Sequence, residues 1–180
     1  MEKKIYLVLT QTSSVLSSII KLFTREEYNH ISISLAPQLE PMYSFGRRRP
    51  YNPFFGGYVK EYPNQGTFKR FPKTVSCVLE LPVSEKCYDK LKNIVEEMYA
   101  TRMQYRYNFI GLAIAAFRIY YPRRNCYYCS EFARHAFIKA EIPGFEQLKK
   151  ITSPCDFLSF PGVKPIYRGL LSDFPKESRL

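Results

Sequence analysis

Tyr127-Tyr128-Cys129-Ser130-Glu131-Phe132 marks the point where an aromatic, strand-like run gives way to a helical pattern. Phe132, Ala133 and Ala136 follow Cys129 at three, four and seven residues, so all four share one helical face. That face is apolar and packs inward. The spacing predicts a helix over residues 129–139, stopped by Pro143-Gly144, with the thiol at its N-terminal rim. A helix N-terminus carries partial positive charge and unpaired N–H groups, which favour a thiolate there.

A nucleophilic sulfur needs a base, and the chain has two histidines. His135 lies further along the same predicted helix, ~9 Å of rise from Cys129 and on another part of its circumference. It does not reach the thiol. His30 lies in Tyr28-Asn29-His30-Ile31-Ser32-Ile33-Ser34-Leu35, which alternates as a strand does. Ile31, Ile33 and Leu35 point one way, and His30, Ser32 and Ser34 the other. A base on the polar side of a sheet can meet a helix end that covers it. The plain alternative is a small buried cysteine and a surface histidine.

Working outward, residues 4–9 read as a first strand. Ser13 or Ser14 caps a helix through Val15, Leu16, Ile19, Ile20 and Phe23. Ala36 to Pro41 is a turn, and Met42 to Gly46 the returning strand of a hairpin. Residues 47–64 are rich in Pro, Gly, Tyr and Arg without a period and read as a long loop. Residues 67–71 and 74–81 read as strands. Ser84 caps an amphipathic helix with Cys87, Leu91, Ile94, Val95 and Met98 as its stripe. Residues 107–119 read as a second helix, and Ser153-Pro154-Cys155-Asp156 as a capped helix start. Residues 165–169 read as a last strand. The expected class is α+β, an antiparallel sheet packed by helices. One domain is expected over residues 1–172, followed by a polar tail over 173–180.

The 180 residues carry 27 Lys+Arg against 16 Asp+Glu, a net charge of +11 that favours anionic partners such as a phospholipid surface. Aromatic and aliphatic content is that of a folded protein. Five cysteines are too few for a disulfide scaffold of this size, so reduced thiols and a cytoplasmic setting are expected. The apolar stretch Ile5–Leu9 is too short for a signal peptide core, and no run reaches membrane-spanning length. Cys126 and Cys129 form a C-x-x-C. A thioredoxin-type motif would follow an early strand of a βαβ unit, and a zinc site needs two more ligands at close spacing. Cys155 and His135 fit no common zinc pattern, so no metal site is expected.

An aromatic-rich strand with one histidine, followed about a hundred residues later by aromatic-aromatic-Cys-Ser-Glu-Phe, resembles the circularly permuted papain-like thiol hydrolases. These are the YiiX-like and lecithin-retinol-acyltransferase-like branch of the NlpC-type superfamily. In that branch the histidine precedes the cysteine, as here. The resemblance covers residues 28–46 and 127–137 and, weakly, Ser153 to Leu158.

The resemblance implies a permuted papain-like fold with Cys129 as nucleophile and His30 as base. It also implies a third polar residue on the strand after the histidine, where Ser44 stands. Family members usually carry His, Glu, Asp, Asn or Gln at that place. Glu61 is an alternative, swung in from the long loop. Gln11 is a candidate oxyanion donor. Arg47, Tyr51 and Tyr128 are candidate substrate contacts, with Arg47-Arg48-Arg49 offering a grip for an anion.

The expected reaction is amide or ester hydrolysis through an acyl-thioester, without a cofactor, on a peptide or acyl-lipid substrate. A lipid acyltransferase or thioesterase, and a binding protein without turnover, are the alternatives. Nucleic acid is not expected as a partner, since no recognised module appears.

Overall fold

The computed structural model describes residues 2–12, 26–49, 51–115 and 117–175, with the side chains of Pro53 and Phe54 excepted. The expected helix from Ser13 or Ser14 and the end of the tail lie outside the described residues.

The architecture is α+β. Six strands form one antiparallel sheet in the order β4-β3-β2-β1-β5-β8. They are β1 (Glu2–Gln11), β2 (His30–Ser34), β3 (Met42–Arg49), β4 (Asn52–Glu61), β5 (Val75–Ser84) and β8 (Lys164–Leu170). β1 to β4 form a meander, each strand beside the one before. The chain then returns through the short helix α1 (Gly66–Arg70) to lay β5 on the other side of β1.

One sheet face carries Ile5, Leu7, Leu9, Ile31 and Ile33, all fully buried. Against it pack α2 (Glu85–Ala100), through Leu91, Ile94, Val95 and Met98, and α4 (Cys129–Lys139), through Phe132, Ala133, Ala136 and Phe137. Each of the large apolar side chains contributes ~1.5–3 kcal/mol by leaving water. The other face carries a smaller core of Tyr6, Val8, Met42, Phe68 and Val78. Ser84 caps α2, its Oγ accepting from the Cys87 N–H at 3.2 Å.

Three expectations are corrected. Residues 47–64 are not a loop: β3 runs on to Arg49 and pairs with β4, Gly46 opposite Gly57 and Arg47 opposite Gly56. β4 is the sheet edge, a position that tolerates a proline such as Pro53. Residues 67–71 form the single-turn α1 rather than a strand. The second helix is shorter than expected. Tyr107 belongs to the two-residue strand β6 (Arg106–Tyr107), and α3 spans only Phe109–Ala115. β6 pairs in parallel with β7 (Cys126–Tyr127).

Phe174 packs edge-on against Tyr167 with ring centroids 5.2 Å apart. No helix among the described residues is long and apolar enough to cross a membrane.

Candidate active site

β2 begins at His30, beside the start of α4. The register pairs His30 with Thr10 and Ser32 with Val8, so His30 and Ser32 share a sheet face that Ile31 and Ile33 do not. Cys129, the first residue of α4, places its sulfur 4.0 Å from the Asn29 carbonyl oxygen, next to the His30 backbone. The sulfur lies close enough to the His30 ring to help hold its proton. Cys129 is 3 % exposed, so the thiol is almost covered.

Glu61 completes the row. It ends β4, two strands away from β2, and its side chain reaches over β3. Its Oε2 lies 3.0 Å from His30 Nε2 and accepts a 2.7 Å hydrogen bond from Ser32 Oγ. The two side chains are only 17 % and 12 % exposed, so this ion pair is shielded from solvent.

Gly46 makes the reach possible. Any Cβ there would stand 2.9 Å from Glu61 Oε1.

The electrostatics follow from the geometry. Burial works against a charged imidazole at His30. The Glu61 carboxylate and the Cys129 sulfur outweigh it and raise the pKa to about 10. Burial likewise pushes Glu61 up, but the His30 charge, hydrogen bonds from His30 and Ser32, and the nearby Arg47 hold it below the ordinary carboxylate value. The pair is therefore imidazolium and carboxylate at neutral pH.

Tyr107 is a second neighbour of Cys129. Burial first, then the charge and hydrogen bond of Cys129, push this phenol well above its ordinary value, so it stays a donor. Gly56 admits it, since a Cβ at Gly56 would lie 2.8 Å from Tyr107 Cβ. At the helix start the Tyr128 N–H donates to Glu131 Oε2 at 3.3 Å. The Cys129 N–H, in the first turn, has no intrahelical acceptor.

The structure thus brings Cys129, His30 and Glu61 together, with Glu61 on a strand rather than a loop. It does not bring Ser44. The Ser44 hydroxyl donates to the Ile31 carbonyl at 2.6 Å and does not orient the ring. Gln11 ends β1 opposite Val75 and makes no hydrogen bond to the thiol; its Oε1 is buried without a partner. Tyr51 is exposed at the hairpin turn, under the Arg70 guanidinium at 4.3 Å. The Tyr128 hydroxyl is buried without a hydrogen-bond partner.

The arginine triplet divides. Arg47 is half-buried beside Glu61 and over the Phe71 ring. Arg48 donates to the Arg102 and Tyr105 carbonyls at 2.5 and 2.8 Å, so it is a backbone clamp rather than an anion grip. Arg49 stacks over Phe55.

Ser32 and Tyr107 were missed as site residues from sequence. Ser32 had a signal, its two-residue spacing from His30 on one strand face. Tyr107 had none, because only the β6–β7 pairing carries it to the thiol. Cys126 belongs to β7 and does not join the row. No cluster of three or more His, Cys, Asp and Glu side chains able to hold a metal occurs among the described residues. Comparison with known family models, with curated proteins and with solved structures finds no match to this chain.

Proposed function

We propose that this protein is a cysteine hydrolase of the permuted papain-like type, which cleaves an amide or ester through an acyl-thioester on Cys129. The observation that carries the reading is the row Ser32–Glu61–His30 with the Cys129 sulfur set beside it, 4.0 Å from the Asn29 carbonyl. A buried carboxylate on one ring nitrogen fixes the tautomer and leaves the other nitrogen for the sulfur.

In the first half-reaction Cys129 Sγ attacks the carbonyl carbon, and the carbonyl electrons move onto oxygen. The Cys129 N–H and the Tyr107 hydroxyl are the donors for that oxyanion. The tetrahedral species collapses, the C–N or C–O bond breaks, and the imidazolium of His30 gives its proton to the leaving group. In the second half-reaction water attacks the thioester while neutral His30 takes its proton. The acid departs and the sulfur and imidazolium are restored. No cofactor enters the sequence.

Transfer to another acceptor on the same acyl-thioester, as in a lipid acyltransferase, is the second reading. The apolar segment that leaves the site at Tyr107 favours it.

Alkylation with iodoacetamide at neutral pH tests the thiol. Peptide mass spectrometry is expected to find Cys129 modified faster than Cys126. His30→Asn should slow Cys129 by about 10²-fold or more, the scale of a lost base. Equal rates in the wild type and His30→Asn would end the proposal, as would a fast phase at Cys126. Turnover of a panel of aryl esters and peptidyl amides, lost in Cys129→Ala, separates hydrolysis from mere binding.

A further inference from the structure

Between β6 and β7 the chain leaves the site at Tyr107 and returns at Cys126. The excursion is built unlike the rest of the surface. Phe117 is 78 % and Ile119 56 % exposed, and Ile110, Tyr120 and Tyr121 are about half exposed. Of α3 only Gly111 is buried. A soluble protein rarely leaves so many large apolar side chains together in water without a partner for them.

The same stretch carries one sign of charge. Residues 98–130 contain no Asp or Glu and five arginines: Arg102, Arg106, Arg118, Arg123 and Arg124. All five are exposed, and none forms an ion pair among the described residues.

The apolar display is also shaped. The Phe117 and Arg118 N–H groups bond the Ile114 and Ala115 carbonyls, which closes a defined turn after α3. Arg118 sits in the left-handed region at φ 61°, a conformation side-chain-bearing residues avoid. Asn108 ties the base: its Nδ2 donates to the Tyr121 carbonyl and its Oδ1 accepts from the Gly111 N–H. The turn therefore holds Phe117 and Ile119 outward.

We propose that this excursion docks on an anionic lipid bilayer. Phe117, Ile119 and the neighbouring tyrosines enter the headgroup region, and Arg118, Arg123 and Arg124 meet lipid phosphates and carboxylates. Aromatic and aliphatic side chains ringed by cations are the chemistry of an interfacial anchor. A single-stranded nucleic acid would use the arginines and the aromatic rings, but it leaves Ile110 and Ile119 without a role. Docking here sets the ends of the excursion, Tyr107 and the strand that leads into Cys129, toward the membrane surface. The inference concerns binding and stands independently of the thiol chemistry.

Co-sedimentation of the full chain with phosphatidylcholine vesicles, with and without phosphatidylserine, tests it. The wild type is expected to sediment with the anionic vesicles and less so at high salt. The triple variant R118Q/R123Q/R124Q should bind on the order of a hundredfold more weakly, at roughly fivefold per arginine. The F117S/I119S variant should lose the binding that resists salt. Of the five substituted residues only Arg118 has a positive φ, so thermal melts of the F117S/I119S protein and of R123Q/R124Q serve as fold controls. Cys129→Ala should bind as the wild type does, which separates this surface from the proposed reaction. Three results would overturn the proposal: no sedimentation with anionic vesicles, equal binding to neutral vesicles, or variants that sediment like the wild type. A single-stranded oligonucleotide that binds more tightly than the vesicles, with F117S/I119S unaffected, would assign the surface to nucleic acid instead.

Discussion

Gly46 and Glu61 are fitted to each other: a Cβ on Gly46 would stand 2.9 Å from Glu61 Oε1 and 3.4 Å from Val59 Cγ2. A free glutamate would simply swing aside. This one is held at its other oxygen by His30 and Ser32. Gly46→Ala is therefore expected to break the row while leaving the sheet folded. Alkylation of Cys129 should slow toward the His30→Asn rate, with a loss of stability of about 1–2 kcal/mol. Unchanged alkylation would mean that Glu61 does not act through His30.

The two histidines should titrate far apart. His30 is held up at about 10 despite its burial. His135 is lowered by burial and by the charges of Lys139 and Arg134. A proton NMR titration resolves them directly. In Glu61→Gln the burial of His30 loses its main opponent, so that resonance should move down by several pH units. The variant should also lose ~1.5–3 kcal/mol, the worth of a hydrogen bond to a charged group.

The pair also sets a pH profile of stability. His30 has a raised folded value, so its contribution is whole below 6.5 and fades as pH rises through about 10. Glu61 has a depressed folded value, so its contribution is whole above 4.5 and fades as pH falls through that lower value. Thermal melts should therefore show the widest gap between wild type and Glu61→Gln from pH 4.5 to 6.5. A gap that widens above pH 10 would contradict the charge assignment.

Tyr107→Phe removes only the hydroxyl at the sulfur. Turnover is expected to fall by about 10²–10³-fold, as for a lost oxyanion donor, with little change in melting temperature. Gly56→Ala should give the same loss and a lower melting temperature, because its Cβ would meet the rigid stem of Tyr107 at 2.8 Å. Tyr107→Phe with full turnover would remove the phenol from the reaction.

Arg48→Gln should behave as a structural change. It releases the Arg102 and Tyr105 carbonyls and is expected to cost ~1–3 kcal/mol in chemical denaturation. Binding to anionic vesicles should stay as in the wild type. Weaker binding without loss of stability would return Arg48 to the role of an anion contact.

Elements whose hydrophobic period is regular were legible in the sequence. The α2 stripe with its Ser84 cap and the α4 helix from Cys129 to Lys139 are examples. So was the alternation that separates Ile31 and Ile33 from His30 and Ser32. The hairpin at residues 47–61 was not, since Pro53, Gly56 and Gly57 carry no strand signal of their own. Its pairing is dictated by β3, and its glycines serve close approach: Gly56 to Tyr107 and Gly57 to Arg48. Ser44 looked like the ring's partner because sequence places it one strand from His30. Only the register reveals that a longer side chain from the next strand passes over Gly46 to take that place. Local pattern exposes which residues share a face; it does not reveal which of them meet across two strands.

The order of the row along the chain has a consequence for synthesis. His30, Ser32 and Glu61 sit on the β1–β4 meander, whose strands follow one another in sequence and pair with their neighbours. Cys129 comes much later and completes the row only when α4 docks on these strands. Made from its N-terminus, the chain prepares its proton acceptor before a sulfur exists for it to serve. A product ending short of α4 lacks the sulfur and β8 alike, so it carries His30 and Glu61 with nothing to serve.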